Sequence, residues 1–160
     1  MGVPENDRLW RSRPGVANVA LAVVTGIVIA ACGGGGTATT PSPTSNTFAM
    51  AAQNGSGVSG AGTIVKRTGS FTLTIALTGM PPGSIHISHI HAGKCAQPGG
   101  IVYNLQSITA SSSGTATTTS IVPAGYLVPS SGWYVNVHFG PDFTEAEYAP
   151  SISCGDLKPV

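Results

Sequence analysis

Charge is scarce in this chain, because only 8% of its 160 residues are Asp, Glu, Lys or Arg and the formal net charge is +1. No basic patch is available to bind nucleic acid, and no acidic or basic run forms a charged tail. Helix-forming residues are few, whereas glycine, serine and threonine are abundant. This composition favours an exported all-β protein over a helical cytosolic enzyme.

The first 31 residues have the layout of an export signal. A basic region at residues 8–13 precedes an apolar run at residues 16–31, which is short for a helix that spans a bilayer. The run ends in Ile-Ala-Ala followed by Cys32, and this ending resembles the lipobox of bacterial lipoproteins. The resemblance implies a signal peptide over residues 1–31 and an acylated Cys32 as the first mature residue. We therefore expect an extracytoplasmic protein anchored in the membrane through Cys32; an uncleaved membrane anchor is the alternative.

Cysteine is also rare, and the count of three is odd until Cys32 is set aside for the lipid. Cys95 and Cys154 then form an even pair in an oxidising compartment, which favours a disulfide. On the chain-entropy account, a bridge that closes a loop of about 60 residues stabilises a domain by about 4 kcal/mol.

Residues 32–47 are rich in glycine, threonine and proline, and we interpret them as a flexible tether. From residue 48 to residue 160, short apolar runs alternate with Gly, Pro and Ser clusters about every ten residues, as is typical of an antiparallel sandwich or barrel. The clearest run is Ser70 to Thr78, where every second residue is apolar. The pattern predicts an all-β Greek-key sandwich or barrel of seven or eight strands, with a short helical turn at 144–148. The predicted strands are 48–53, 62–67, 70–78, 84–91, 101–105, 114–121, 132–138 and 151–157.

All four histidines fall in two predicted strands, with His86, His89 and His91 in one and His138 at the end of another. Residues two apart in a strand point to the same side, about 6.5 to 7 Å apart, so His89 and His91 can bind one ion. His86 has the opposite parity and faces away unless a bulge near Ser88 reorients it. A neighbouring strand could add His138, and three imidazoles suit copper or zinc, with copper favoured by intrinsic affinity. The alternative is that the histidines bind no metal and only pack and hydrogen-bond.

Together, the histidines and the last two cysteines resemble the pattern of copper/zinc superoxide dismutase: His86-x-x-His89-x-His91, Cys95, His138 and Cys154. The resemblance covers about residues 59–157. It implies that His89, His91 and His138 bind copper and that His86 is structural. It also implies that the two cysteines form the intrasubunit disulfide.

The chain departs from the dismutase pattern at several positions. No histidine lies between Cys95 and His138, so the bridging ligand and the zinc ligands of that family are missing, and we expect no zinc. The family places an arginine where this chain has Ser151, so an anionic substrate lacks its attractor. Acidic residues follow His138 instead and would repel superoxide: Asp142, Glu145 and Glu147. We therefore expect weak or no dismutase turnover.

A second resemblance overlies the first, because segments 89–93, 99–105 and 132–138 are similar to the CHRD (chordin-type) domain of bacterial exported proteins. Three hypotheses remain: a copper-dependent dismutase without zinc, an extracytoplasmic copper-binding module, and a metal-free CHRD-type structural or adhesion domain. The dismutase would bind copper and act on superoxide, the binding module would bind copper ion alone, and the structural domain would bind neither. Blue-copper electron transfer is disfavoured because the two cysteines are assigned to a disulfide. Hydrolysis is disfavoured because no activated nucleophile stands out.

Overall fold

A computed structural model of the chain describes residues 43–159, which lie within one compact unit, Thr40–Val160. The predicted signal peptide, Cys32 and most of the predicted tether lie outside the described residues. Within residues 43–159, no helix is long and apolar enough to cross a membrane. These residues form ten strands and one 3-10 helix: β1 Ser45–Ala52, β2 Ser59–Arg67, β3 Ser70–Thr78, β4 Ile85–His86, β5 Ser88–Lys94, β6 Gln97–Asn104, β7 Ile108–Thr109, β8 Ala116–Val122, β9 Trp133–His138, the helix Ala146–Tyr148, and β10 Ser151–Leu157.

Eight strands form one antiparallel sheet in the order β6-β5-β9-β10-β1-β2-β3-β8. Strand β1 joins the two halves of this sheet, because residues 45–50 pair with β2 while Ala51 and Ala52 pair with β10. The sheet thereby curls around a single core, and β4 and β7 form a small second sheet. The predicted all-β sandwich or barrel is confirmed.

The core follows the period-two pattern of the strands. Phe71, Leu73, Ile75 and Leu77 of β3 are all at most 2% exposed, because alternate side chains of a strand point to the same face. Strand β1 begins at Ser45, three residues before the predicted domain boundary, because its first residues pair with the end of β2. The apolar pattern begins only at residue 48, so the sequence marks the start of the core rather than the start of the strand.

The predicted strand 84–91 is two strands separated at Ile87. The backbone N–H of Ile87 donates to the carbonyl of Gly140, and its own carbonyl accepts from the N–H of His138. Strand β4 then pairs with β7, a two-residue strand too short to show an alternating pattern. This interruption lies beside Ser88, the position named above for a bulge that would reorient His86.

Cys95 and Cys154 form a disulfide that joins the turn after β5 to the middle of β10, with their Cα atoms 5.9 Å apart. Strand β9 lies between β5 and β10 in the sheet, so the bridge spans the strand that carries His138. Asp156 adds a second link, because its carboxylate accepts a 2.8 Å hydrogen bond from the backbone N–H of Cys95. The predicted disulfide is confirmed, and it ties together the three strands beneath the histidines.

Candidate metal centre

Strands β5 and β9 are antiparallel neighbours, and their register brings three histidines together. His89 lies opposite Asn136 and His91 lies opposite Tyr134, while His138 follows two residues after Asn136 on the same face. The ring centroids are 5.2 Å apart for His89 and His138, 5.7 Å for His89 and His91, and 5.8 Å for His91 and His138. One ligand atom from each ring lies within 4.8 Å of the others. We call this group the three-histidine cluster.

The cluster lies on the face of β9 that points away from the core. Trp133, Val135 and Val137 of that strand belong to the core, whereas Asn136 and His138 alternate with them and point to the other side. All six residues of β9 are nevertheless buried. Another part of the chain must therefore cover the outer face of this strand.

The covering segment is residues 139–150, which we call the site loop. Its ends are held together by hydrogen bonds from the N–H of Phe139 to the carbonyl of Pro150 and from the N–H of Gly140 to the carbonyl of Tyr148. A Cβ atom on Gly140 would lie 2.1 Å from the Cβ of Tyr148, so the loop closes only with glycine at that position. The loop thereby returns the chain to β10 beside the cluster.

Two of the three imidazoles are oriented by backbone carbonyls. Nδ1 of His91 donates to the carbonyl of Gly99 over 3.0 Å, and Nδ1 of His138 donates to the carbonyl of Ala149, in the site loop, over 2.6 Å. Such bonds fix the tautomer and leave Nε2 of each ring with its lone pair available, as in most protein metal sites.

The nitrogens aimed into the cluster include two that are buried and have no hydrogen-bond partner: Nδ1 of His89 and Nε2 of His91. Buried polar atoms are nearly always paired in folded proteins, and each unpaired one costs about 1 to 3 kcal/mol. A metal ion would satisfy both at once. The three residues therefore fit a metal ion with three imidazole ligands.

The third ligand atom, Nε2 of His138, has a partner that the sequence did not indicate. The side-chain nitrogen of Asn136 lies 3.2 Å from it, and the Asn136 carbonyl oxygen accepts a hydrogen bond from the hydroxyl of Ser151. An ion that takes this nitrogen as a ligand would replace the bond from Asn136. Ser151 is thus part of the cluster's surroundings, at the position where the resemblance implies an arginine.

Two of the three imidazoles have pKa values below the ordinary value for histidine. Burial, and then the proximity of His138 and His91, lower the pKa of His89 to about 4. Burial also lowers the pKa of His138, against the hydrogen bond to Ala149, which raises it. Metal ions bind the unprotonated form of imidazole, so both shifts favour the form of His89 and His138 that can bind an ion.

His86 lies outside the cluster. Its Nδ1 donates to the backbone carbonyl of His138 over 3.0 Å, and its Nε2 is 2.7 Å from the hydroxyl of Ser84. With both ring nitrogens engaged and only 2% of the residue exposed, His86 links β4 to the end of β9.

Aromatic rings line the cluster on two sides. Tyr134 stacks on His91 at 5.1 Å, and burial raises the pKa of its hydroxyl, so it stays a neutral phenol. Phe143 of the site loop stacks on His89 at 5.5 Å and meets His138 edge-on at 4.8 Å. Phe143 could not be identified from the sequence, because nothing in the local pattern connects a loop phenylalanine with strands so far away in the chain.

Solved structures of superoxide dismutase type share this fold. The Cu/Zn superoxide dismutase from Brucella abortus matches with a TM-score of 0.52 and 17% identity, over 72% of this chain and 100% of that chain. A SOD-like protein from Bacillus subtilis matches with a TM-score of 0.51 and 16% identity, over 70% of this chain and 97% of that chain. Neither a family model nor a curated protein matches the sequence.

The chain is therefore an all-β protein with a superoxide dismutase-like fold and a buried cluster of three histidines. At this level of identity the likeness concerns the fold alone. The chordin-type resemblance, the lipid anchor and the nature of the ion remain predictions.

Proposed function

We propose that this chain is a lipid-anchored, extracytoplasmic copper-binding protein with a superoxide dismutase-like fold and weak or no dismutase turnover. The observation that carries the proposal is the pair of unpartnered, buried nitrogens, Nδ1 of His89 and Nε2 of His91, beside Nε2 of His138. Without an ion these two atoms cost stability and gain nothing, so a metal-free structural domain accounts for them poorly.

Copper is preferred over zinc because imidazole sites generally bind Cu²⁺ more tightly than Zn²⁺. Bound copper would supply one-electron chemistry and affinity for a further small ligand. His89, His91 and His138 would hold the ion, and the carbonyls of Gly99 and Ala149 would keep two of these rings oriented.

Slow dismutation is proposed because the surroundings of the cluster do not attract an anion. Ser151 carries no positive charge at the position where the dismutase family has an arginine. Its hydroxyl donates a hydrogen bond to the side-chain oxygen of Asn136. The acidic residues of the site loop, Asp142, Glu145 and Glu147, are exposed on the segment that covers the cluster. A negative potential there lowers the rate at which superoxide arrives.

The metal content of the full chain, purified in detergent after exposure to copper, tests this proposal. We expect one copper per chain to remain after desalting, with three imidazole nitrogens in X-ray absorption and matching nitrogen hyperfine structure in the cupric form. If wild-type protein retains no copper, the metal-free CHRD-type structural or adhesion domain becomes the better hypothesis. A dismutation rate near the diffusional range of about 10⁸ to 10⁹ M⁻¹s⁻¹ would contradict the proposed slow turnover.

The anchor is proposed from the apolar run that ends at Cys32. Replacing Cys32 with serine is expected to abolish incorporation of labelled fatty acid and to leave a precursor of unprocessed size, because serine has no thiol to acylate. Cys95→Ser is the control, since it removes a thiol without touching the lipobox. Normal labelling and processing of the Cys32→Ser protein would show that the chain is held in another way.

A further inference from the structure

The three-histidine cluster contains no anionic group. Within residues 43–159, the set of side chains whose ligand atoms converge there is three imidazoles, without a carboxylate or thiolate. Neutral ligands leave the charge of a bound ion uncompensated. The free energy needed to move an ion out of water grows with the square of its charge, so a divalent ion loses about four times as much solvation as a monovalent ion of the same size. Three neutral imidazoles hold Zn²⁺ in catalytic sites only together with a fourth ligand such as water. The choice between ions at this cluster therefore depends on whether a fourth donor can enter.

Phe143 covers the cluster on its solvent side. It is 48% exposed, whereas the three histidines are only 6 to 8% exposed, so its ring lies between the imidazoles and water. Its ring plane is only 17° from parallel to His89, and it also contacts His138. A phenyl ring offers no lone pair to an ion and takes the place of water at this edge of the site.

The position of Phe143 is held by the residues on either side of it. The Asp142 carboxylate accepts hydrogen bonds from the backbone N–H of Thr144, over 2.8 Å, and from its hydroxyl, over 2.6 Å. This short turn closes around Phe143 at the tip of the site loop. The turn thus presents Phe143 to the cluster, and the ring contacts His89 and His138 although it is half-exposed.

Cu⁺, Cu²⁺ and Zn²⁺ differ in the number of ligands they need, and so in how an apolar ring over the site affects their binding. Cu²⁺ favours tetragonal sites and Zn²⁺ favours four ligands, so each needs a donor beyond three imidazoles, usually water at an open position. Cuprous copper has a filled d shell and is stable with three donors. An aromatic face within about 6 Å of a cation also attracts it.

We propose that the cluster selects monovalent copper over divalent ions and that Phe143 sets this selectivity. The inference rests on the proposed copper site and goes beyond it, because it assigns the oxidation state and the residue responsible. The protein would accordingly act as a holder of cuprous ions outside the cytoplasm.

Competition experiments on the full chain in detergent test the selectivity. Cuprous affinity is measured without oxygen against bathocuproine disulfonate, and cupric and zinc affinities against nitrilotriacetate. We expect wild-type protein to hold Cu⁺ at least about 100-fold more tightly than Zn²⁺, because Phe143 occupies the side from which a fourth ligand for Zn²⁺ would enter. Silver, a monovalent ion with no accessible redox change, should bind in the same way as Cu⁺.

Phe143→Ala is expected to lower the ratio of cuprous to zinc affinity by about tenfold, since it opens the site to water and removes the aromatic face. Phe143→Leu keeps an apolar cover without a π face and should lose only part of the ratio. Both Phe143 variants are expected to fold, because the side chain of Phe143 is half-exposed. Phe139→Ala is the matched control, because Phe139 is equally exposed on the same loop and makes no ring contact with the cluster among the described residues.

The outcomes separate this inference from the proposed function. If wild-type protein binds copper in neither oxidation state, both fail. If it binds copper but holds Zn²⁺ or Cu²⁺ as tightly as Cu⁺, the copper site stands and the selectivity is wrong. The role of Phe143 is wrong if both Phe143 variants keep the wild-type ratio.

Discussion

Replacing His91 with alanine is expected to weaken copper binding by more than about 100-fold, since altering only a hydrogen-bond partner of a metal ligand already costs about 10- to 100-fold. Two imidazoles remain after the substitution, and among the described residues no other histidine, cysteine or carboxylate joins the group. Competition against a chromogenic copper chelator measures the change. Alanine at His89 or His138 should have a comparable effect, because each contributes one ligand atom.

His86→Ala is the matched control for this series. His86 is a buried histidine next to the cluster, but both of its ring nitrogens are hydrogen-bonded elsewhere. The variant should bind copper with nearly wild-type affinity and unfold at lower denaturant concentration, because the carbonyl of His138 loses a donor. Equal copper affinity in all four alanine variants would show that the ion, if any, binds somewhere else.

Cys95→Ser is expected to lower the free energy of unfolding by about 2 to 5 kcal/mol, the usual range for losing a native disulfide from a small domain. The bridge closes a loop with a sequence separation of 59 residues, so the unfolded chain gains considerable freedom without it. Position 95 is the better site for the substitution, because Cys154 is only 4% exposed and a serine there would bury a hydroxyl. Urea unfolding followed by tryptophan fluorescence measures the difference.

Wild-type protein in reductant serves as the comparison for Cys95→Ser, and the two should unfold at the same urea concentration. The disulfide ties the β5 turn to β10 across β9, so its loss should also loosen the strands that hold the histidines. Copper affinity is therefore expected to fall in the same variant. Unchanged stability on reduction would mean that the bridge adds nothing to the fold.

Much of the fold could be predicted from the sequence because strand periodicity is a local property. The alternation of apolar and hydroxyl residues in Ser70–Thr78 matches β3 at both ends, and Ser151–Leu157 is also β10 as predicted. The division of residues 84–91 could not be located at Ile87, because it depends on hydrogen bonds to Gly140 and His138, which are distant in the sequence. Strand β7 was missed since two residues carry no pattern.

Only part of the arrangement of the metal ligands could be predicted from strand periodicity. That His89 and His91 share a face follows from the two-residue repeat of any strand, and the same rule places His138 beside Asn136 and Tyr134. That β5 and β9 are neighbours is a property of the sheet order, which no local pattern contains. Strand parity alone therefore left His138 a candidate; the dismutase resemblance predicted the group of three, and the sheet order brings them together.

The sequence by itself determined the fold class, the period of the strands and the short list of histidines, because each follows from composition, parity or count. The lipobox resemblance at Cys32 left Cys95 and Cys154 as the predicted pair. Only the tertiary structure decided that two imidazole nitrogens are buried without partners, that Asn136 and Ser151 adjoin the third, and that Phe143 covers the group. The physical reason is that burial and contact depend on which distant segments pack together. Phe143 is separated along the chain from His89, and only the closure of the site loop over β9 brings their rings within 5.5 Å.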